Sequence, residues 1–360
     1  MCTQCSRWLW HGCAEYPVRD ADCEYATEWW ICAMGSTGLT REAEGTLALP
    51  RAQPAARSAA AWNAEAAAVP WWLWWNILSL DAPMVGLVWA ALFVREGGGR
   101  LGVAESVALA LAVWLIYTTD RLLDGWSTQN RAALRARHLV CERHRRAFAG
   151  AVVAAGGVIV FLAVTTLPLS EVRAGCGLGV VVAAYMVGIH LGRGALAQRW
   201  PKELAVGILF AAGATLPWWW RGVAISFGAM TAFGSLAVLC AGNCMAIESW
   251  ERAGDERTRR DGDTKAPGGG ASSKGRAREF AGGLTRGLAI ALAGIAGVLG
   301  ALGVERRTMH GALAAAVAGT VLLLALHGMR RRLTPEALRV LADAALLVPP
   351  VVLLMVGGAS

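Results

Sequence analysis

The sequence predicts an all-α, polytopic integral membrane protein with about nine transmembrane helices. Two observations carry that prediction. Of the 360 residues, 56% are hydrophobic and only 17% are charged, a mix too apolar for a soluble domain of this size. Long apolar runs then recur from Trp71 to the C-terminus, each near the ~20 residues a helix needs to cross a hydrocarbon core of about 30 Å. Helix is the only spanning structure open to such runs, because each backbone polar group must find its partner within the segment.

The first run, 71–94, opens on Trp71, Trp72, Trp74 and Trp75, which read as interfacial anchors. Gly97-Gly98-Gly99 turns the chain into 101–118. The runs 147–167 and 172–190 are joined by a tight turn at Leu167-Pro168. Next come 203–220, ending on Trp218, Trp219 and Trp220 as a second anchor group, and 224–247. The last three are 282–303, 309–327 and 336–357. Residues 71–360 thus form one membrane domain. The tail, 1–70, holds Cys2, Cys5, Cys13, Cys23 and Cys32. Cys2 and Cys5 have zinc-ligand spacing, but no second close pair follows. With no basic segment leading into a compact apolar stretch, a cleaved signal peptide is not expected. The tail reads as a disordered extension or as residues preceding the native start.

Lys and Arg counts orient the bundle, since the excess lies on the cytoplasmic side. Seven fall in 119–146, three in 191–202, eight in 248–281 and four in 328–339. The opposite loops hold six: Arg95, Arg100, Arg173, Arg221, Arg306 and Arg307. The N-terminus is therefore expected inside and the C-terminus outside, in a bacterial-type inner (cytoplasmic) membrane. The net charge of +8 is largely this loop bias, so no nucleic-acid partner is called for and no protein partner is implied. Arginine-rich loops at such a surface meet the head groups of membrane lipids or phosphorylated ligands.

Two polar stretches sit at cytoplasmic ends. Tyr117, Asp120 and Asp124 follow the second run, and Glu248, Glu251 and Asp255 follow the sixth. Both sets are spaced three and then four residues apart, which places each within an arc of about 60° on its helix. A single acidic pair at an interface is commonly a solvated face. Two matching sets on one side argue for a site, because carboxylates near membrane depth are costly and are paired or functional. Oxygen-rich sites suit Mg²⁺, which is typically held by one or two carboxylates together with substrate phosphates. Arginines nearby can clamp the remaining phosphate oxygens.

These two stretches resemble the motifs of the UbiA-type intramembrane prenyltransferases, Asn-Asp-x-x-Asp-x-x-x-Asp after the second helix and Asp-x-x-Asp-x-x-x-Asp after the sixth. Asp120 and Asp124 match the later acids of the first motif, with Arg121 following Asp120 as it often does there. Glu248, Glu251 and Asp255 match the second motif in position and charge. Ile116 and Tyr117 stand where that family has Asn-Asp, and Glu248 and Glu251 replace aspartates, so the likeness is to a divergent branch. It covers 71–357 in topology and implies a UbiA-like helical bundle of nine helices. It further implies Mg²⁺ on Asp120, Asp124, Glu248, Glu251 and Asp255, diphosphate contacts from Arg121, Arg137 and Asn243, and transfer of a prenyl group from a polyprenyl diphosphate to a lipophilic, often aromatic, acceptor.

Other features read more plainly. His138 and His144 lie in a basic loop that either contacts diphosphate or simply follows the orientation rule. Arg339 and Asp343 have the spacing of an ion pair within one helix. The Gly- and Ser-rich stretch 261–277 reads as a flexible loop, which in the resembled family helps to cap the site. Two other readings stay open: an ion-coupled carrier using the same carboxylates, and a catalytically silent lipid-binding relative. The carrier ranks lower because its acids sit at helix ends and no broken helices are evident.

Overall fold

The computed structural model describes residues 71–127, 140–141, 143–191, 202–221, 226–262 and 309–356. The tail 1–70, the expected span 282–303, Arg137, His138 and most of the 261–277 loop lie outside the described residues. All the regular elements described are helical. Six of them are long and apolar enough to cross a membrane, and the protein is a multi-pass membrane protein.

A short 3-10 turn, Trp71–Leu73, leads into α1 (Trp74–Ile77) and then α2 (Asp81–Glu96). The helices α3 (Val103–Ser127), α4 (Arg145–Thr165), α5 (Leu169–Leu191) and α6 (Lys202–Trp219) follow. The described chain ends with α7 (Phe227–Gly262), α8 (His310–Met329) and α9 (Pro335–Val356). α2 is the hub, packed on α3, α6, α8 and α9, while α7 packs on α6, α8 and α9. α4 and α5 lie outside this core with Val153, Phe161, Val164 and Val180 exposed, the outward apolar face of lipid-facing helices.

The first expected span is not one helix. It breaks at 78–80, where Ser79 takes a left-handed φ of 58°, a conformation that costs a non-glycine residue about 1–3 kcal/mol. Asp81 and Pro83 then restart the helix in its first turn, where an acid suits the helix dipole and proline forfeits no hydrogen bond. Trp72, Trp74 and Trp75 are exposed as anchors should be, but Trp218 is buried at 1% against Phe93 and Trp219. That tryptophan belongs to the core, not to the interface.

Close approach between helices rests on small residues. A Cβ on Gly207 of α6 would run into the Ala237 carbonyl and come within 2.8 Å of the Ala241 nitrogen of α7. The far pole, opposite the acidic stretches, is tied by polar contacts. Glu96 accepts from the Gly311 and Ala312 amides at 2.6 and 3.1 Å, capping α8 from another helix. Burial pushes the Glu96 carboxyl up, and these two amides pull it back down. Arg221 grips Glu105 at 2.6 and 2.8 Å. Arg95 joins this pole through the Leu354 carbonyl at 2.7 Å.

Pro349 and Pro350 lie inside α9, so the carbonyls one turn earlier lack their usual amide donors. Trp89 Nε1 donates to one of them, the Leu346 oxygen, at 2.9 Å. Trp89→Phe keeps the ring and removes the donor. It should lower the unfolding free energy of the purified protein by about 1–3 kcal/mol, read as a fall in Tm in detergent; an unchanged Tm would show that the carbonyl needs no partner.

Candidate functional site

α3 carries Tyr117, Asp120, Arg121 and Asp124 along one side of its last turns. Asp120 and Asp124 are joined by His190 from the end of α5: the three ligand atoms lie within 4.8 Å of one another, with His190 Nε2 3.2 Å from Asp120 Oδ1. Sequence motifs missed His190. Its only signal was a histidine in the last turn of an expected span, on the side where the acids collect.

The second stripe is held differently. Glu248 pairs with Lys202 at 3.6 Å and with Arg252 one turn along its own helix, and it shares a hydrogen bond with Glu203. Glu251 takes Arg339 Nη1 at 3.0 Å. The backbone of Asp255 lies in α7, and its side chain is outside the described residues. α5 and α6 link the two stripes: Tyr185 donates to the Lys202 carbonyl at 3.3 Å and interacts electrostatically with both Asp120 and Glu203. The acids of α3 and α7 are thus linked through these residues at one pole, the polar mouth of the bundle. Glu248 and Glu251 of α7 have cationic partners in Lys202, Arg252 and Arg339.

Beneath the mouth is a polar layer that the sequence did not reveal. Arg121 is buried, and its Nη1 donates to the Asn76 and Ile77 carbonyls at 3.0 and 2.8 Å. Trp114 donates to the next carbonyl, Leu78, at 2.9 Å. The Ile77 and Leu78 carbonyls take these side-chain donors at the break, whereas the Asn76 carbonyl also keeps the Ser79 amide at 3.1 Å. Asn76 Nδ2 reaches Asp81 Oδ2 at 2.6 Å and Asp343 Oδ2 at 3.2 Å, and Asn243 Nδ2 reaches Asp343 Oδ1 at 3.3 Å. Asp343 is thus held by two asparagines, while Arg339 turns to Glu251; the expected pairing of Arg339 with Asp343 is replaced by these contacts. Tyr117 interacts with Asp81, Asp343, Cys240 and Cys244, so the residue standing in place of a family acid points into this layer. Cys141 is buried and interacts with Arg121. Burial pushes its thiol up, opposed by Arg121.

Comparison with protein-family models, curated proteins and solved structures finds no match to this chain. The resemblance to the prenyltransferases therefore rests on the two short sequence motifs alone.

Arg121→Met tests the layer. Both carbonyls would lose a charged donor in a dry interior, so the unfolding free energy should fall by about 2–4 kcal/mol, measured by thermal or denaturant unfolding in detergent. A variant as stable as the parent would mean that Arg121 is not what holds the break.

Proposed function

We propose that the protein is a Mg²⁺-dependent intramembrane prenyltransferase, transferring a prenyl group from a polyprenyl diphosphate to a lipophilic acceptor. The observation that carries this reading is the convergence of Asp120, Asp124 and His190 at the end of α3, on the same pole as Glu248 and Glu251. The donor set of two carboxylates fits a hard divalent cation, and His190 supplies a nitrogen or orients Asp120. Mg²⁺, when bound there, supplies the charge neutralisation that a leaving diphosphate requires.

The chain's own residues do the rest. Asp120 and Asp124 would hold the cation to which the diphosphate end binds at the pole, and Lys202 and Arg252, now on Glu248, are cations that phosphate oxygens can recruit. The flanking helices keep the reacting carbon out of water. The C–O bond of the prenyl diphosphate breaks, a bond from that carbon to the acceptor forms, and diphosphate and one proton leave. In this reading the bundle has nine spans with the mouth on the cytoplasmic side. Reporter fusions at residues 130, 265 and 331 should then read as cytoplasmic, and fusions at 98, 221 and the C-terminus as opposite; a cytoplasmic C-terminus would rule out nine spans.

Mg²⁺ and inorganic diphosphate together should raise the Tm of the purified protein more than either alone, since a ligand stabilises by its occupancy of the folded state. Asp120→Asn should abolish the joint effect while leaving the fold intact, and should remove a prenylated lipid from extracts of cells carrying the protein. One observation favours a second reading, an ion-coupled carrier: the first span is broken, and Asp81 and Asp343 meet beside the break. Stabilisation by sodium or by a pH step, with none from Mg²⁺ and diphosphate, would select the carrier.

A further inference from the structure

One face of α4 is turned away from the rest of the bundle. Among the described residues α4 packs on α3, with Ala155 buried and Gly156 close to Leu115. At about 100° per residue, Arg146, Gly150, Val153, Gly157, Val160 and Val164 fall within an arc of about 80° on the side opposite Ala155. All six are exposed, Val153 at 75% and Val164 at 80%. A Cβ at Gly150 or Gly157 would meet nothing within 4 Å. The face is thus apolar, has two shallow gaps, and ends on a cation at the pole of the mouth.

Charge selects what covers it. Arg143, His144, Arg145 and Arg146 are exposed in succession where α4 begins. The first turn of α4 holds no acid, and His144 gives it no side-chain cap. Free amides at the positive end of the helix dipole therefore stand beside two arginines, a repulsion that an anion relieves. Arg146 lies on the side away from α3, which carries Asp120 and Asp124, so it is not placed to serve a diphosphate there.

Depth selects the rest of the ligand. At a rise of about 1.5 Å per residue, Gly150 and Gly157 stand about 6 and 16 Å along the helix from Arg146, which spans one leaflet, half of a hydrocarbon core of about 30 Å. An acyl chain hanging from a phosphate at the arginines would pass both gaps. A free phosphate would use the cations and leave the gaps empty. A second copy related by a two-fold axis along the membrane normal would set Arg146 against its own counterpart.

We propose that this face of α4 is a docking site for an anionic phospholipid, its phosphate held by Arg145, Arg146 and the start of α4, and one acyl chain lying along Gly150 and Gly157. The assignment goes beyond the transferase reading and does not depend on it.

The test is native mass spectrometry of the full-length protein in an uncharged detergent, with equimolar phosphatidylglycerol and phosphatidylcholine of identical chains. Phosphatidylglycerol should be retained about tenfold more tightly, as the attraction of two arginines near the surface predicts. Arg145→Gln combined with Arg146→Gln should bring the two lipids to parity. Arg331→Gln combined with Arg332→Gln, exposed on the α8–α9 turn at the same pole, should leave the preference intact. Gly150→Leu combined with Gly157→Leu should reduce retention of phosphatidylglycerol with no change in charge. Equal retention of the two lipids, an equal loss in both arginine variants, or a dimer that excludes phosphatidylglycerol would overturn the assignment. Displacement of the lipid by inorganic phosphate at equal concentration would assign the cations to a free anion instead. The comparison of the two lipids on the parent protein stands whatever the variants do.

Discussion

Within a bilayer, a backbone carbonyl that leaves its helix has no water to turn to, and the core of this protein is arranged around two places where that happens. One is the interruption at 78–80, the other the Pro349-Pro350 step in α9. Each is met by a side chain from another helix: Arg121 and Trp114 at the first, Trp89 at the second. These donors fix how α2 sits against α3 and α9, and with them the position of Asn76 and Asp81. The polar layer follows from the interruption, because a continuous helix through 71–94 would have carried Asn76 and Asp81 on a regular helical path with no carbonyls to recruit Arg121.

The two polar zones differ in kind. At the mouth, acids from α3 and α7 are exposed enough to exchange partners, and their neighbours are long cationic side chains that can move. In the layer below, the partners are short amides, carboxyls and a guanidinium held on backbone, and there is little freedom to rearrange.

Much of this was legible from the residues. Among the described residues, apolar run length located a helix at seven of the expected segments, six of them long and apolar enough to cross a membrane, although α3 and α7 run well past the expected ends at 118 and 247. The spacing of Asp120 and Asp124 placed them on one side of α3, where both reach His190. The interruption was not legible, because Asn76-Ile-Leu-Ser79-Leu-Asp81 contains no glycine and its flanks are apolar. Three polar residues in six, the last of them an acid, with a proline two residues further on at helix-start spacing, were the available signal. Trp218 was misread as an anchor because periodicity along one helix cannot say whether a neighbour covers it; Phe93 does. The partners of Asp343 and Glu251 are set by tertiary contacts across the chain, which local spacing does not encode.

The separation in sequence of the groups that complete α1 and α2 has a consequence for biogenesis. Asn76 meets Asp343, Trp89 the Leu346 carbonyl and Arg95 the Leu354 carbonyl, all in α9 and separated by 267, 257 and 259 residues. During translation the α2 segment must therefore reside in the bilayer, or at the insertion machinery, with the Trp89 indole short of its native acceptor until residues near 350 emerge, while Asn76 has only Asp81. A chain stopped before α9 would present a polar wound in an otherwise apolar surface, the kind of lesion that membrane quality control can recognise, so α9 acts as the clasp by which a chain that carries it is distinguished from one that does not.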